Sequence, residues 1–173
     1  MSILLSLSRP FVADHFHDLP GFVEARHGHN WEAEATFSIQ DLDQEAACAA
    51  ALEAGGGPKG DPWNTARIGA VGGAKRAGDL IPLAHPLSLD AVTVDHHWDA
   101  AGRRAWLRVE VSVEGRTGVE MEALTGVSLG LLVLYDMLKA VSHEMELGPV
   151  RLLLKEGGRR GLVTQAWADC PWK

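Results

Sequence analysis

The chain has little that would staple, anchor or repeat it. Its 173 residues include only two cysteines. Cys48 and Cys170 stand far apart, so a disulfide framework is not expected and a cytoplasmic setting is. No apolar run has the length of a membrane span. The first seven residues are apolar but lack a basic leader and a small-residue cleavage site, and they read as a strand rather than a signal peptide. Internal repeats and low-complexity tracts are missing. Basic residues are outnumbered, 16 Lys and Arg against 23 Asp and Glu, and the net charge of −7 argues against general nucleic-acid binding. A local basic cluster can still oppose that sign and hold a small anionic substrate. What remains is the balance of one globular domain, with 46% apolar and 23% charged residues.

Periodicity orders the elements. From Trp31 to Ile39 apolar and polar residues alternate strictly, the pattern of a half-buried strand. An Ala-rich stretch from Asp43 to Ala54 opens on acids and ends on Gly55-Gly56-Gly57, which predicts a helix. Asp61-Pro62 reads as an N-cap with proline at the first helical position, and the helix it opens is expected to reach about Ala77. Its Gly69, Ala70, Gly72, Gly73 and Ala74 disfavour an isolated helix but permit close backbone packing. A proline-flanked loop surrounds His85. Strands are expected over 89–98 and 104–114, with Ala105, Leu107, Val109, Val111 and Val113 on one face. A long helix is predicted over 123–145, stopped by Gly148-Pro149, then a strand over 150–155 and a less ordered tail after Gly161. The order of elements is split β-α-β, so the fold class is α+β: an antiparallel sheet with helices on one face, preceded by an N-terminal hairpin. The expected units are a hairpin segment over 1–40, a main domain over 41–161 and a tail over 162–173.

Several polar residues sit where a core helix has no use for them. Asp136 and Lys139 are three apart and share a helix face. One reading is a surface ion pair of little worth. The other starts from Leu131, Leu132, Leu134, Leu138 and Val141, which make the helix apolar nearly all round and predict partial burial of both charges. A buried acid and amine set against each other are candidates for proton transfer. Between strand and helix, Gly115 and Gly118 bracket Arg116, with Glu120 and Glu122 just beyond. Acids there serve the helix dipole or a ligand. Glu122 and Asp136 are fourteen residues apart, about 21 Å along a straight helix, so they cannot flank one substrate atom within it. Either the two ends serve distant parts of a large ligand, or sites form between subunits, which the spacing favours. His85 is either an ordinary hydrogen-bonded residue or a binding group held by its stiff loop. Lys59, Arg67, Lys75, Arg76, Arg116, Lys155, Arg159 and Arg160 lie at loop ends or beside glycines, as a solvated basic loop or a phosphate cluster would place them.

These segments resemble the cyclic pyranopterin monophosphate synthase (MoaC) family across residues 58–161. The matching strings are Pro58-Lys59-Gly60-Asp61, Thr65-Ala66-Arg67-Ile68, Ala74-Lys75-Arg76, Asp79-Leu80-Ile81-Pro82-Leu83 and His85-Pro86-Leu87. Arg116 to Thr125, Tyr135-Asp136-Met137, Lys139-Ala140-Val141 and Gly148 to Leu153 follow in the family's order, then Lys155 and Gly157-Gly158. The resemblance implies a ferredoxin-like fold, a homo-hexamer and sites between subunits. It also implies conversion of (8S)-3′,8-cyclo-7,8-dihydroguanosine 5′-triphosphate to cyclic pyranopterin monophosphate plus diphosphate, with no cofactor. By the same resemblance Asp136, Lys139 and Lys59 are catalytic. Leu83, Ala84, His85, Met121, Glu122 and Arg116 bind substrate, and Lys75 and Lys155 serve its phosphates. The chain departs from the family's pattern with Ala84 in place of cysteine and Glu156 in the final glycine-rich run. The family's usual N-terminal segment is replaced.

In its place stand Phe11-Val12-Ala13-Asp14-His15 and His27-Gly28-His29-Asn30. Two histidines two apart on a strand project to one side, and His15 on a neighbouring strand can join them. Three imidazoles with an open position form the pattern of a catalytic zinc site; unrelated histidines on a polar hairpin are the other reading. Residues 9–38 resemble the opening of the 6-pyruvoyl tetrahydropterin synthase and 6-carboxy-tetrahydropterin synthase family, which implies zinc at His15, His27 and His29. Three functions follow as expectations: the synthase, a zinc-dependent enzyme of pyruvoyl tetrahydropterin synthase type, and a non-catalytic pterin-nucleotide-binding relative. All three take a small pterin or nucleotide ligand and need no membrane or nucleic acid.

Overall fold

The computed structural model describes residues 27–38, 42–115, 117–157 and 161–172, with the backbone alone for 27–45. The elements are β1 (His27–Ser38), α1 (Leu42–Glu53), α2 (Pro62–Lys75), α3 (Ala77–Leu80), β2 (Ala91–Asp99), β3 (Arg104–Gly115), α4 (Glu120–Leu138), β4 (Glu146–Glu156) and β5 (Val163–Thr164). The strands form one antiparallel sheet in the order β2-β3-β1-β4-β5. Its first four strands have the order of a ferredoxin-like fold, in agreement with the α+β expectation. β1 comes from the expected leading segment over 1–40 and is the central strand of this sheet, matching the strand expected from Trp31 onward. The rest of that segment lies outside the described residues.

The core forms between the sheet and α4. Ala105, Leu107, Val109, Val111 and Val113 are all buried, as the alternation of β3 requires. Opposite them α4 buries Ala123, Val127, Leu131, Leu134 and Leu138, spaced three and four apart. Each fully buried leucine contributes roughly 1.5–3 kcal/mol. By length and composition α4 is apolar enough to cross a membrane, but its buried stripe makes it the central helix of this core.

Small residues set the approach of α2 to α4. A Cβ built on Gly73 would lie 2.9 Å from the Leu129 Cβ, and one on Gly130 would lie 2.9 Å from the Ala70 Cβ. The glycines that weaken α2 as an isolated helix are therefore what lets it lie against its neighbour. α1 buries Cys48, Ala51 and Leu52 in a second cluster with Trp63, Leu134 and Leu138. Burial pushes the Cys48 thiol up to about 11, so it stays an unreactive core group.

Three expectations are corrected. The long helix ends at Leu138, not near Met145. The Lys139 N–H still bonds to the Tyr135 carbonyl, but Val141 and Ser142 both donate to the Leu138 carbonyl and close a turn. Val141 and Met145 continue the apolar spacing because they pack in the second cluster, not because the helix continues. Gly148-Pro149 lies inside β4, where the β1–β4 ladder shifts register between Ala35 and Phe37 and a missing N–H is tolerated. The tail after Gly161 is also ordered. β5 pairs with β4, Trp167 packs edge-on against the buried Trp106 with ring centroids 5.0 Å apart, and Asp169 meets Arg104 at 3.2 Å.

Candidate functional site

Lys59 stands on a tight turn before α2. The Gly57 and Gly60 backbones exchange hydrogen bonds of 2.8 and 3.0 Å across it. Gly60 has φ +101°, a conformation that L side chains rarely adopt. The Asp61 carboxylate then accepts from the N–H groups of Trp63 and Asn64 at 2.9 and 3.0 Å and caps α2. Trp63, 7% exposed, donates its indole N–H to the Leu52 carbonyl at 3.0 Å. A glycine turn, a cap and a buried tryptophan thus fix the backbone from which Lys59 reaches α4.

There Lys59 Nζ donates to Asp136 Oδ2 at 2.9 Å and to the Asp136 carbonyl at 2.8 Å. Lys139 Nζ lies 2.7 Å from Asp136 Oδ1. One carboxylate is held between two ammonium groups, each on its own oxygen. The hydrogen bond from Lys139, and then that from Lys59, holds the Asp136 carboxyl below its ordinary 3.8. The same bond from Asp136 holds Lys139 above its ordinary 10.5. Both cations also sit at the C-terminal end of α4, where unpaired carbonyls favour positive charge. The three predicted catalytic residues therefore meet, and the bridge from Lys59 is the part their spacing in sequence does not suggest.

The predicted burial of this pair does not hold in the single chain. The Asp136 and Lys139 side chains are 53% and 46% exposed, and that of Lys59 is 38% exposed. Leu131, Leu134 and Leu138, which suggested burial, occupy the inner side of α4, whereas Asp136 lies on the outer side. Two grooves, of about 420 and 430 Å³, lie instead along α2 and β2, where Trp63 stacks on His96 with ring centroids 4.4 Å apart. Neither is lined by Lys59, Asp136 or Lys139.

The remaining candidates gather toward the other end of α4. Gly69 lies beside Val133 and Gly73 beside Leu129 and Thr125, so α2 runs antiparallel to α4. The exposed Lys75 at the end of α2 is thus near the start of α4, with α3 following it. Gly78 lets the loop fold back on α3, since a Cβ there would lie 2.9 Å from the Pro86 Cα. That contact seats the loop of Ala84 and the exposed His85; Leu83 is 84% exposed. At the start of α4, Met121 is half-buried and Glu122 is 4% exposed. Burial raises the Glu122 carboxyl above its ordinary 4.5. Glu120, absent from the predicted set, is raised by burial and opposed by the nearby charge of Lys155; its signal was its place in the string from Arg116 to Thr125. α4 is continuous from Glu120 to Leu138, so the two groups stand about 21 Å apart in one chain.

Arg116, Arg159, Arg160 and His15 lie outside the described residues. His27 and His29 lie in β1, opposite Gly115 and Val113 of β3. Among the described residues there is no group of three side chains suited to a metal ion.

A ferredoxin-like sheet carrying a carboxylate locked between two lysines, with further cations at the far end of the same helix, defines an α+β protein built for acid–base work on a small anionic ligand. The chain belongs to the MoaC family, whose model matches residues 23–158. It is similar to a protein of Roseiflexus sp. (strain RS-1), named cyclic pyranopterin monophosphate synthase, at 53% identity over 110 residues, covering 64% of this chain and 70% of that one. The protein of that name from Roseiflexus castenholzii is 53% identical over 112 residues, covering 65% and 71%. That from Novosphingobium aromaticivorans is 50% identical over 111 residues, covering 64% and 69%. The family match begins at residue 23 and so takes in β1.

Proposed function

We propose that the chain is a cyclic pyranopterin monophosphate synthase, a lyase of molybdenum cofactor biosynthesis. It converts (8S)-3′,8-cyclo-7,8-dihydroguanosine 5′-triphosphate to cyclic pyranopterin monophosphate and diphosphate. The meeting of Lys59, Asp136 and Lys139 carries this reading, with support from relatives of that name. A cyclic monophosphate arises from a triphosphate when a sugar hydroxyl attacks the α-phosphorus. A new P–O bond forms, the bond to the β-phosphate oxygen breaks, and diphosphate leaves with the electron pair. The hydroxyl proton must be taken up, and the ring rearrangement moves further protons. Lys59 and Lys139 hold protons at Nζ and place positive charge where negative charge develops, while Asp136 orients both. A non-catalytic relative would have no need to keep this cluster bonded together.

The exposure of the cluster and its 21 Å separation from the substrate-binding set support a site made by two chains. Lys59, Asp136 and Lys139 come from one copy. Lys75, Leu83, Ala84, His85, Arg116, Met121, Glu122 and Lys155 come from another, within a cytoplasmic homo-hexamer. No cofactor takes part in this reaction. Zinc at His15, His27 and His29 rests on the resemblance of residues 9–38 alone. Stoichiometric zinc in purified protein, lost on His27→Ala, supports it; metal-free protein removes it.

Incubation with the cyclic dihydro-GTP derivative tests the function. The expected result is stoichiometric diphosphate and cyclic pyranopterin monophosphate. No product from intact, assembled protein overturns the assignment.

A further inference from the structure

The last residues of the chain, 161–172, lie beyond the 23–158 matched by the family, yet they are built into the sheet. β5 pairs with β4 through Leu154 opposite Thr164 and Lys155 opposite Val163. A two-residue strand is too short to hold by itself. Two tryptophans C-terminal to it supply the tethers. The Arg151 guanidinium lies 4.4 Å from the Trp167 ring centre, Trp167 meets Trp106, and Arg108 lies 5.2 Å from the Trp172 ring centre. Arg108 is also paired with Asp95 of β2 at 2.6 Å. The tail therefore crosses the face opposite the helices from β4 to β3, and through Arg108 it reaches β2.

The tail meets β4 at an irregular point. The β1–β4 register runs Glu32 with Leu154 but Ala33 with Leu152, so Leu153 is an extra residue on β4. The backbone N–H of Gln165 donates to the Leu153 carbonyl at 2.7 Å. A bulge changes which face the subsequent side chains take. Leu152 packs on the helix-side core. In a regular strand Lys155, three residues on, would point to the opposite face, with Arg151 and Trp167. With Leu153 bulged it takes the helix side instead, and its charge is felt by Glu120 at the start of α4.

We propose that the C-terminal tail is a positioning element: by clamping the Leu153 bulge through Trp167 and Gln165, it aims Lys155 at the phosphate-binding end of the active site. The inference rests on the proposed synthase function, in which Lys155 holds substrate phosphate. Trp167 touches no substrate and acts only through β4. Its loss releases the bulge, lets Lys155 swing away and weakens phosphate binding while leaving Lys59, Asp136 and Lys139 intact.

The test is a mutant cycle on the full-length protein, reading KM and kcat with the cyclic dihydro-GTP derivative and the affinity for inorganic diphosphate by calorimetry. Trp167→Ala should raise KM and weaken diphosphate binding about tenfold, with kcat changed less than about twofold. Lys155→Ala should do the same, and the double variant should be no worse than Lys155→Ala alone. Trp167→Phe, which keeps a ring on Arg151, should restore most of the affinity. Should Trp167→Ala fail to fold, Arg151→Gln removes the same stack more gently and should give the same non-additive loss. Additive losses, or unchanged KM and diphosphate affinity in the single tail variant, overturn the proposal. If the intact protein has no turnover, the synthase reading fails, and the diphosphate cycle still tests the positioning of Lys155.

Discussion

Asp136 accepts from Lys139 on one oxygen and from Lys59 on the other. In the free chain that grip favours the charged forms of Asp136 and Lys139. Asp136 stays ionised as pH falls through ordinary carboxylate values, and Lys139 stays protonated as pH rises. On the proposed function, substrate or a second chain replaces water around the cluster and makes the charged forms less favourable. Lys139→Ala should lower turnover at least about 10²-fold, with the melting temperature and far-UV spectrum unchanged because the side chain is exposed. Full activity in that variant would remove the lysine from the mechanism. Glu122 behaves in the opposite sense. Burial raises its carboxyl, so the folded chain is favoured below the ordinary value of 4.5 and loses stability as pH rises through the raised value. Glu122→Gln removes that loss. The variant should melt higher than the parent at pH 7, and the gap should close below pH 4.5; a gap independent of pH would contradict the assignment. The Asp136–Lys139 pair was legible in the sequence from its spacing on one helix face. Its exposure was not, because most of the leucines that suggested burial, at two and five residues' distance, lie on the inner side of the helix, and a count of apolar neighbours does not separate the two sides.

The elements repeat this pattern. β3 and α2 were readable almost to their ends, the first from strict alternation and the second from Asp61-Pro62. The end of α4 was misread because Val141 and Met145 keep a helical spacing while packing from a turn and from the loop before β4. The ordered tail was also missed: Trp167 and Trp172 have no period and become intelligible only beside Arg151, Trp106 and Arg108. Two predictions belong at this scale. Asp61→Ala removes the acceptor for two N–H groups at the start of α2 and should cost about 1 kcal/mol in denaturant unfolding. It should also loosen the turn that carries Lys59. Gly130→Ala puts a methyl 2.9 Å from the Ala70 Cβ with the Leu107 side chain closer still. It should destabilise the chain by about 1–3 kcal/mol. A neutral result would mean that α2 and α4 do not pack as closely as described.

For the whole molecule, the division of candidate residues between the two ends of α4 matters more than any single contact. In one chain Lys59, Asp136 and Lys139 meet at one end of α4, while Lys75, His85, Met121 and Glu122 lie toward the other. Spacing alone predicted this division, since fourteen residues on one helix cannot converge on an atom. The family match fixed the class of protein, and the antiparallel course of α2 along α4 put Lys75 near the start of α4. Complementation tests most directly whether two copies share one site. Lys139→Ala and Lys75→Glu variants should each be inactive alone. Mixed chains, dissociated and reassembled together, should recover about a quarter of wild-type activity, because half of random pairs hold one intact site of two. Mixed assemblies that form but stay at the background of the separate variants would contradict a site shared between chains.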